Sequence, residues 1–243
     1  MMGSEADLGI IPRVCKAIFD RIYDETHKND GVNRNYRVET SMVEIYNERI
    51  RDLFNPTNPL NSTSGLKVRE NPQTGPYIEG MESCIVHNAN DILRLMDEGN
   101  KLRTITKTNM NDTSSRAHTI FQIILASSTE SKEGNESVFT ERMSTINLID
   151  LAGSERAEKS GATGEKLKEG AAINVSLTAL GNVINKLSEK AENPTKKVFV
   201  PYRNSVLTWL LKESLGGNSK TVSTMNLTVR LTTKDNDCHN ISK

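Results

Sequence analysis

The sequence lacks the features that mark secreted, membrane-spanning or polyanion-binding proteins. Its three cysteines, Cys15, Cys84 and Cys238, are widely spaced and odd in number. That fits neither a metal motif nor a disulfide framework and favours a reducing compartment. No apolar run is long enough to cross a bilayer, and the first residues lack a signal-peptide core. Lys plus Arg number 31 and Asp plus Glu number 31, so we expect no nucleic-acid binding, and any basic surface must be local.

A length of 243 residues allows one domain with a sizeable core. Alternating and helical apolar patterns follow one another along the chain, which predicts an α/β protein. One predicted strand ends at Tyr46. The others cover residues 66–70, 78–85, 118–126 and 137–150, and the last two of these are joined as a hairpin. The predicted helices run from residue 10 through Ile22 and over 47–54, 91–99, 102–108, 171–192 and 206–215.

The segment Leu148–Arg156, Leu-Ile-Asp-Leu-Ala-Gly-Ser-Glu-Arg, begins apolar and ends in an acid followed by a loop. An Asp at the end of a buried strand can reach a phosphate-bound Mg²⁺, and a nearby Gly lets a backbone N–H approach the terminal phosphate. A bare D-x-x-G also fits an ordinary strand that ends in a turn, because Asp and Gly are common turn residues.

A second polar loop, Asn111–His118, carries the adjacent hydroxyls of Ser114 and Ser115, which follow Thr113, and then an Arg. Such a loop can coordinate Mg²⁺, position a water molecule and pair with an acid, although Ser- and Thr-rich stretches are more often simple loops. His118 fits two interpretations equally well: a hydrogen-bonded structural histidine at the start of a strand, or a residue that acts near phosphate.

Taken together, these motifs resemble those of the kinesin motor domain. Leu148–Arg156 is similar to the family's second switch, Asn111–His118 to its first switch, and Glu44–Leu53 to a family signature after a central strand. The segment from 171 to 205 resembles the relay helix and the stretch directly after that helix. The sequence departs from the family pattern at Ala117, usually Ser, and at Val175, often Lys. Several regions favour the organelle-transporting, often monomeric, kinesins.

The resemblance implies ATP and Mg²⁺ as cofactors and assigns roles to individual residues. Ser114 and Ser115 would serve Mg²⁺ and water, and Asp150 would hold Mg²⁺ through water; Ser115 and Asp150 are thus the metal-site residues. Gly153 would sense the γ-phosphate. An ion pair between Arg116 and Glu155 would close the two switches. The residues implied to contact nucleotide are Asn111, Ser114, Ser115, Asp150 and Gly153.

The resemblance also implies tubulin as the partner and microtubules in the cytoplasm as the location. The residues that fall where kinesins touch tubulin are Lys186, Lys190, Lys196, Lys197, Tyr202 and Arg203. On composition alone, a solvated basic face is the favoured interpretation of this group, and the resemblance to the family reverses that preference. The sequence does not indicate an oligomeric state.

A kinesin also needs a phosphate-binding P-loop, G-x-x-x-x-G-K-[ST], and no such string occurs in the 243 residues. We therefore expect a partial motor fold that begins just after the P-loop: a central mixed sheet flanked by helices on both faces, without the N-terminal strands. Residues 1–222 would form this domain and 223–243 a disordered polar tail. The predicted function is ATP-dependent movement on microtubules by the parent protein, this chain alone being unable to turn over ATP. The alternative is a non-catalytic tubulin-binding fragment or pseudo-motor. A small GTPase is disfavoured because N-K-x-D is absent.

Overall fold

A computed structural model of the protein describes residues 3–4, 7–58, 61, 64–107, 117–133, 136–153 and 165–223. The helices are α1 (Ile10–Thr26), α2 (Ala89–Lys107), α3 (Glu165–Glu192), α4 (Val206–Leu210) and α5 (Lys212–Gly216), with a 3₁₀ turn at Tyr202–Asn204. The strands are β1 (Asn33–Tyr46), β2 (Arg49–Asp52), β3 (Lys67–Asn71), β4 (Gly75–Glu79), β5 (Cys84–Val86), β6 (His118–Glu133) and β7 (Glu136–Asp150). In these ranges, no helix combines the length and apolarity needed to span a bilayer.

One five-stranded sheet organises the chain in the order β2-β1-β6-β7, with β5 paired to β1. The described pairings are all antiparallel, and β3 and β4 form a separate two-stranded sheet. The predicted α/β class is confirmed. The predicted hairpin is also confirmed, and its strands continue through the polar residues that were expected to form a loop.

Helices cover both faces of the large sheet, as predicted, because successive side chains of a strand point to opposite faces. On one face, Val38 and Met42 of β1 and Phe121 of β6 pack in a core with α1 and α2. On the other face, Ile45 of β1 and Ile120 of β6 pack in a second core with α4. Helices therefore cover both faces of the sheet at β1 and at the start of β6, whereas Phe139 and Met143 of β7 are 71% and 65% exposed.

The short helix predicted over residues 47–54 is wrong, because this segment folds as a hairpin. Tyr46 pairs with Arg49 across a two-residue turn, in which Asn47 and Glu48 have φ values of 51° and 58°. Two consecutive positive φ values suit a tight turn whose twist matches that of the strands. The Glu48 carboxylate then accepts a hydrogen bond of 2.7 Å from the backbone N–H of Val206, so the turn holds the start of α4.

Other element boundaries also differ from expectation. The strand predicted over 78–85 is two strands, β4 and β5, separated after Gly80, whose φ is 75°. The helices predicted over 91–99 and 102–108 are one helix, α2, which passes through Gly99. A side chain there would meet the Met42 sulfur at 2.8 Å, so Gly99 permits close helix–sheet packing rather than ending the helix.

The long helix is confirmed, but its buried face is rotated from the apolar stripe that the spacing of Ile173, Leu177, Leu180, Ile184 and Leu187 predicts. Ser176, Ala179 and Val183 are buried, whereas Ile184 is 50% exposed. Near the end of the described chain, the helix predicted over 206–215 is divided at Leu211 into α4 and α5.

Candidate functional site

Asp150 is the last residue of β7 and lies at the edge where β6 begins. It pairs in register with Thr119 of β6, and its side chain is exposed. The Thr119 hydroxyl accepts a hydrogen bond of 2.8 Å from the Arg103 guanidinium of α2. The carboxylate of Asp150 and the guanidinium of Arg103 thus lie near the same pair of strand ends, the end of β7 and the start of β6.

His118, the first residue of β6, joins three parts of the chain and is only 3% exposed. Its Nδ1 accepts a hydrogen bond of 3.0 Å from the backbone N–H of Ala152, two residues after Asp150. Its Nε2 lies 2.8 Å from the hydroxyl of Ser176 in α3. We call His118, Ala152 and Ser176 the histidine junction.

The contacts of the junction fix the tautomer of the imidazole. Because Nδ1 accepts from a backbone N–H, a neutral ring carries its proton on Nε2 and donates it to the Ser176 oxygen. Burial lowers the pKa of His118 to about 4, since the charged ring would lose its hydration. His118 is therefore neutral near pH 7 and has a structural role, one of its two predicted interpretations.

The structure describes only part of the predicted nucleotide site. Asp150 is exposed at the strand end, and Gly153 is half-buried. Asn111, Ser114, Ser115, Arg116 and Glu155 lie outside the described residues, so their roles stay predictions. The described residues contain no cluster of three or more His, Cys, Asp or Glu side chains suited to a metal. A single exposed carboxylate fits Mg²⁺, which binds proteins through one or two carboxylates and keeps several waters.

The predicted partner-binding residues lie at the end of α3 and just beyond it. Glu189 binds both Lys186 and Lys196, at 2.7 and 2.6 Å. The hydrogen bond from Lys186, followed by that from Lys196, lowers the pKa of the Glu189 carboxyl to about 2. We call these three residues the Glu189 cluster. Lys190 and Lys197 are exposed and have no ion pair with a described residue.

Arg203 is tied to another part of the fold. Its guanidinium lies 2.5 Å from the Glu70 carboxylate of β3 and 5.0 Å from the centre of the Trp209 ring. Lys212 binds the same carboxylate. The hydrogen bond from Lys212, followed by that from Arg203, lowers the pKa of Glu70 to about 2. Neighbouring Tyr202 is half-buried, and burial raises the pKa of its hydroxyl.

Two residues near these sites were not predicted. Arg103 reaches the sheet edge from α2, and its Nε is buried without a hydrogen-bond partner among the described residues. A polar residue near the end of a helix gives no sequence signal for such a contact. Phe199 is 83% exposed between Lys197 and Tyr202. An aromatic residue inside a basic segment could have identified it as a surface contact.

Comparison with known proteins places these features in one family. The kinesin motor domain model matches residues 1–239. Kinesin-related protein 1 of Dictyostelium discoideum is 52% identical over 222 residues, covering 91% of this chain and 10% of that protein. Rat kinesin-like protein KIF1A is 52% identical over 229 residues, covering 91% of this chain and 13% of that protein. The chain thus spans about a tenth of the length of these relatives. The match to KIF1A is consistent with the predicted subfamily.

Solved structures agree with this comparison. A KIF14 dimer in a two-heads-bound state, with AMP-PNP and in complex with a microtubule, has a TM-score of 0.77 and 44% identity, covering 90% of this chain and 59% of that one. KIF14 with ADP, also in complex with a microtubule, has a TM-score of 0.73 and 43% identity over the same shares. The predicted domain boundary at 222 stays a prediction. The chain belongs to the kinesin motor domain family.

Proposed function

We propose that this chain serves a microtubule-based, ATP-dependent motor and carries the switch segments and the microtubule-facing surface of its motor domain. The observation that carries the proposal is the place of Asp150. It follows the half-buried residues 146–149 of β7 in a segment with the second-switch pattern, and the backbone after it is bonded through His118 to α3. Because this switch segment is hydrogen-bonded to the helix that leads to the basic residues, the bound nucleotide could control microtubule binding.

The nucleotide would be ATP with Mg²⁺, since the relatives of known structure are described with AMP-PNP and ADP. In this proposal, Ser115 would hold the metal directly and Asp150 would hold it through water. Asn111, Ser114 and Gly153 contact the nucleotide, and Arg116 and Glu155 pair when the switches close. The metal ion, when bound, would neutralise charge on the phosphates during phosphoryl transfer.

The partner would be tubulin, because the structural relatives are described in complex with microtubules, and the location would be the cytoplasmic microtubules. Lys190 and Lys197 offer positive charge that no described acid neutralises. Phe199 adds an exposed aromatic ring beside them. A local basic patch with an aromatic residue can bind an acidic protein surface even when the net charge of the chain is zero.

A second candidate function is a tubulin-binding module without turnover. One observation favours it for the polypeptide of 243 residues: the string G-x-x-x-x-G-K-[ST] occurs nowhere in it. Phosphoryl transfer depends on positioning and charge stabilisation, and the P-loop backbone and Lys supply both.

Co-sedimentation with microtubules and steady-state ATPase assays separate the candidates. We expect the purified chain to bind microtubules in both cases. Under the second candidate it shows no stimulated ATP hydrolysis, whereas robust stimulated turnover would establish the motor activity in this polypeptide alone. A chain that is folded by circular dichroism and stays in the supernatant at low salt would contradict both candidates.

A further inference from the structure

The histidine junction connects a candidate switch to a helix across large distances in sequence. His118 and Ala152 are 34 positions apart, and His118 and Ser176 are 58 positions apart. Both hydrogen bonds are buried. A buried donor or acceptor that loses its partner destabilises the folded state. The loop after Asp150 and helix α3 therefore cannot separate without losing one of these bonds.

The imidazole is suited to this task because it uses each ring nitrogen for a different element. The Nδ1 atom accepts from the loop, and the Nε2 proton is donated to the helix. Ala152 and Ser176 are themselves buried, so water does not compete for either bond. One rigid ring then fixes the distance between the backbone N–H of Ala152 and the hydroxyl of Ser176.

We propose that His118 is a positioning residue that transmits displacement between the loop after Asp150 and helix α3. This inference rests on the proposed function, in which α3 leads to the microtubule-facing residues and the loop follows the Mg²⁺-binding carboxylate. Binding of a microtubule at the end of α3 thus alters the environment of the Ala152 N–H, and changes at the loop reach α3 by the same route.

Conservative variants can break the two bonds separately. In His118→Asn, the amide oxygen can replace Nδ1 and keep the Ala152 bond, but the side chain is too short to reach Ser176. In His118→Gln, the amide nitrogen can replace Nε2 and keep the Ser176 bond, while no acceptor remains in the place of Nδ1. Ser176→Ala removes the hydroxyl that His118 contacts on α3 and leaves both His118 and the Ala152 N–H unchanged. Ser188→Ala is the matched control, because Ser188 lies on α3, is exposed and bonds only Glu192 among the contacts described.

The test is amide hydrogen exchange of the 243-residue chain, read on peptides that contain Ala152, with and without microtubules. In the wild-type chain and in Ser188→Ala, we expect microtubules to slow exchange of the Ala152 amide about fivefold or more, the low end of usual coupling between sites. In Ser176→Ala and His118→Asn, the slowing should fall below about twofold while co-sedimentation persists. In His118→Gln, the amide should exchange faster already in the free chain.

The outcomes separate the positioning role from the proposed function. If the wild-type chain binds microtubules and Ser176→Ala retains the full slowing, the positioning role is overturned and the proposed function stands. The same holds if wild-type binding leaves Ala152 exchange unchanged. If the folded wild-type chain does not co-sediment, the proposed function is overturned and the positioning role falls with it. The proposal is supported if microtubules no longer slow exchange of the Ala152 amide in Ser176→Ala and in His118→Asn. The double variant should then lose no more of this slowing than either single variant.

Discussion

The histidine junction and the Glu189 cluster both fasten helix α3, but they do so with opposite physical means. The junction uses a neutral imidazole that is 3% exposed, a backbone N–H and a hydroxyl. The Glu189 cluster uses one carboxylate and two lysines whose side chains are 48% and 63% exposed. One lies near the middle of α3, and the other lies at its end.

The difference indicates which kind of contact can hold a fixed geometry and which can be exchanged for a partner. Buried neutral hydrogen bonds are little affected by salt, and leaving one unmade is costly. Exposed ion pairs contribute little to stability and are screened by salt. We therefore expect the junction to determine the relation between loop and helix, and the Glu189 cluster to adjust how much positive charge the helix end presents.

The largest expected effect comes from removing the imidazole. His118→Ala leaves a cavity and deprives both the Ala152 N–H and the Ser176 hydroxyl of a partner, so we expect a loss of about 3–4 kcal/mol in the free energy of unfolding. Urea denaturation monitored by circular dichroism measures it. Glu189→Ala is the comparison, and its loss should be clearly smaller. Equal losses would show that burial does not distinguish the two regions.

Acid should destabilise the two regions in different pH ranges. The pKa of His118 is about 4 in the folded chain and 6.5 without burial, so between these values the unfolded chain binds more protons. Stability should therefore fall as pH drops from above 6.5 to 4, by about 3 kcal/mol at 1.36 kcal/mol for each pKa unit.

The glutamates provide the contrast within the same titration. Glu70 and Glu189 have pKa values lowered to about 2 from 4.5, so their contribution is present above pH 4.5 and is lost as pH falls through 2. Unfolding measured from pH 7 to 4 in wild type and His118→Gln separates these contributions. A loss of the same size in His118→Gln would show that another group is responsible.

The helices and strands that carry the histidine junction and the Glu189 cluster were easier to predict from the sequence than the contacts between distant elements. The strand ending at Asp150 and the long helix follow from apolar alternation and helical spacing, which are local. The turn at Asn47 and Glu48 was misread because neither residue is Gly, although both take positive φ. The bond between Arg203 and Glu70 spans 133 positions, and no local pattern reports such a pairing.

The basic surface should matter more for the partner than for the fold. Replacing Lys196, Lys197 and Arg203 with Ala should weaken microtubule binding about tenfold at low salt, or about 1.4 kcal/mol. The loss should shrink as salt shortens the Debye length to ~10 Å near 0.1 M. Co-sedimentation across a salt series measures it. The matched control removes the same number of positive charges from the exposed side chains of Arg21, Lys28 and Lys101, each of which forms an ion pair. Equal weakening by the control would place the tubulin site elsewhere.

The smallest expected effect is a gain in affinity from Glu189→Gln. The change removes the acid that binds Lys186 and Lys196 while keeping a side chain of similar size. Both ammonium groups then become available to an acidic partner, and we expect microtubule affinity to rise about twofold at low salt and to be unchanged at high salt, where exposed charges are screened.

Glu192→Gln is the matched control for this gain, because it removes the same charge from the end of the same helix. Glu192 accepts a hydrogen bond from Ser188 and forms no ion pair with a lysine among the described residues. If simple net charge governs binding, the two variants should gain equally. If the Glu189 cluster withholds two lysines from the partner, only Glu189→Gln should show the full gain. A lower microtubule affinity of Glu189→Gln would instead mean that Glu189 must hold the two lysines in place for tubulin to bind.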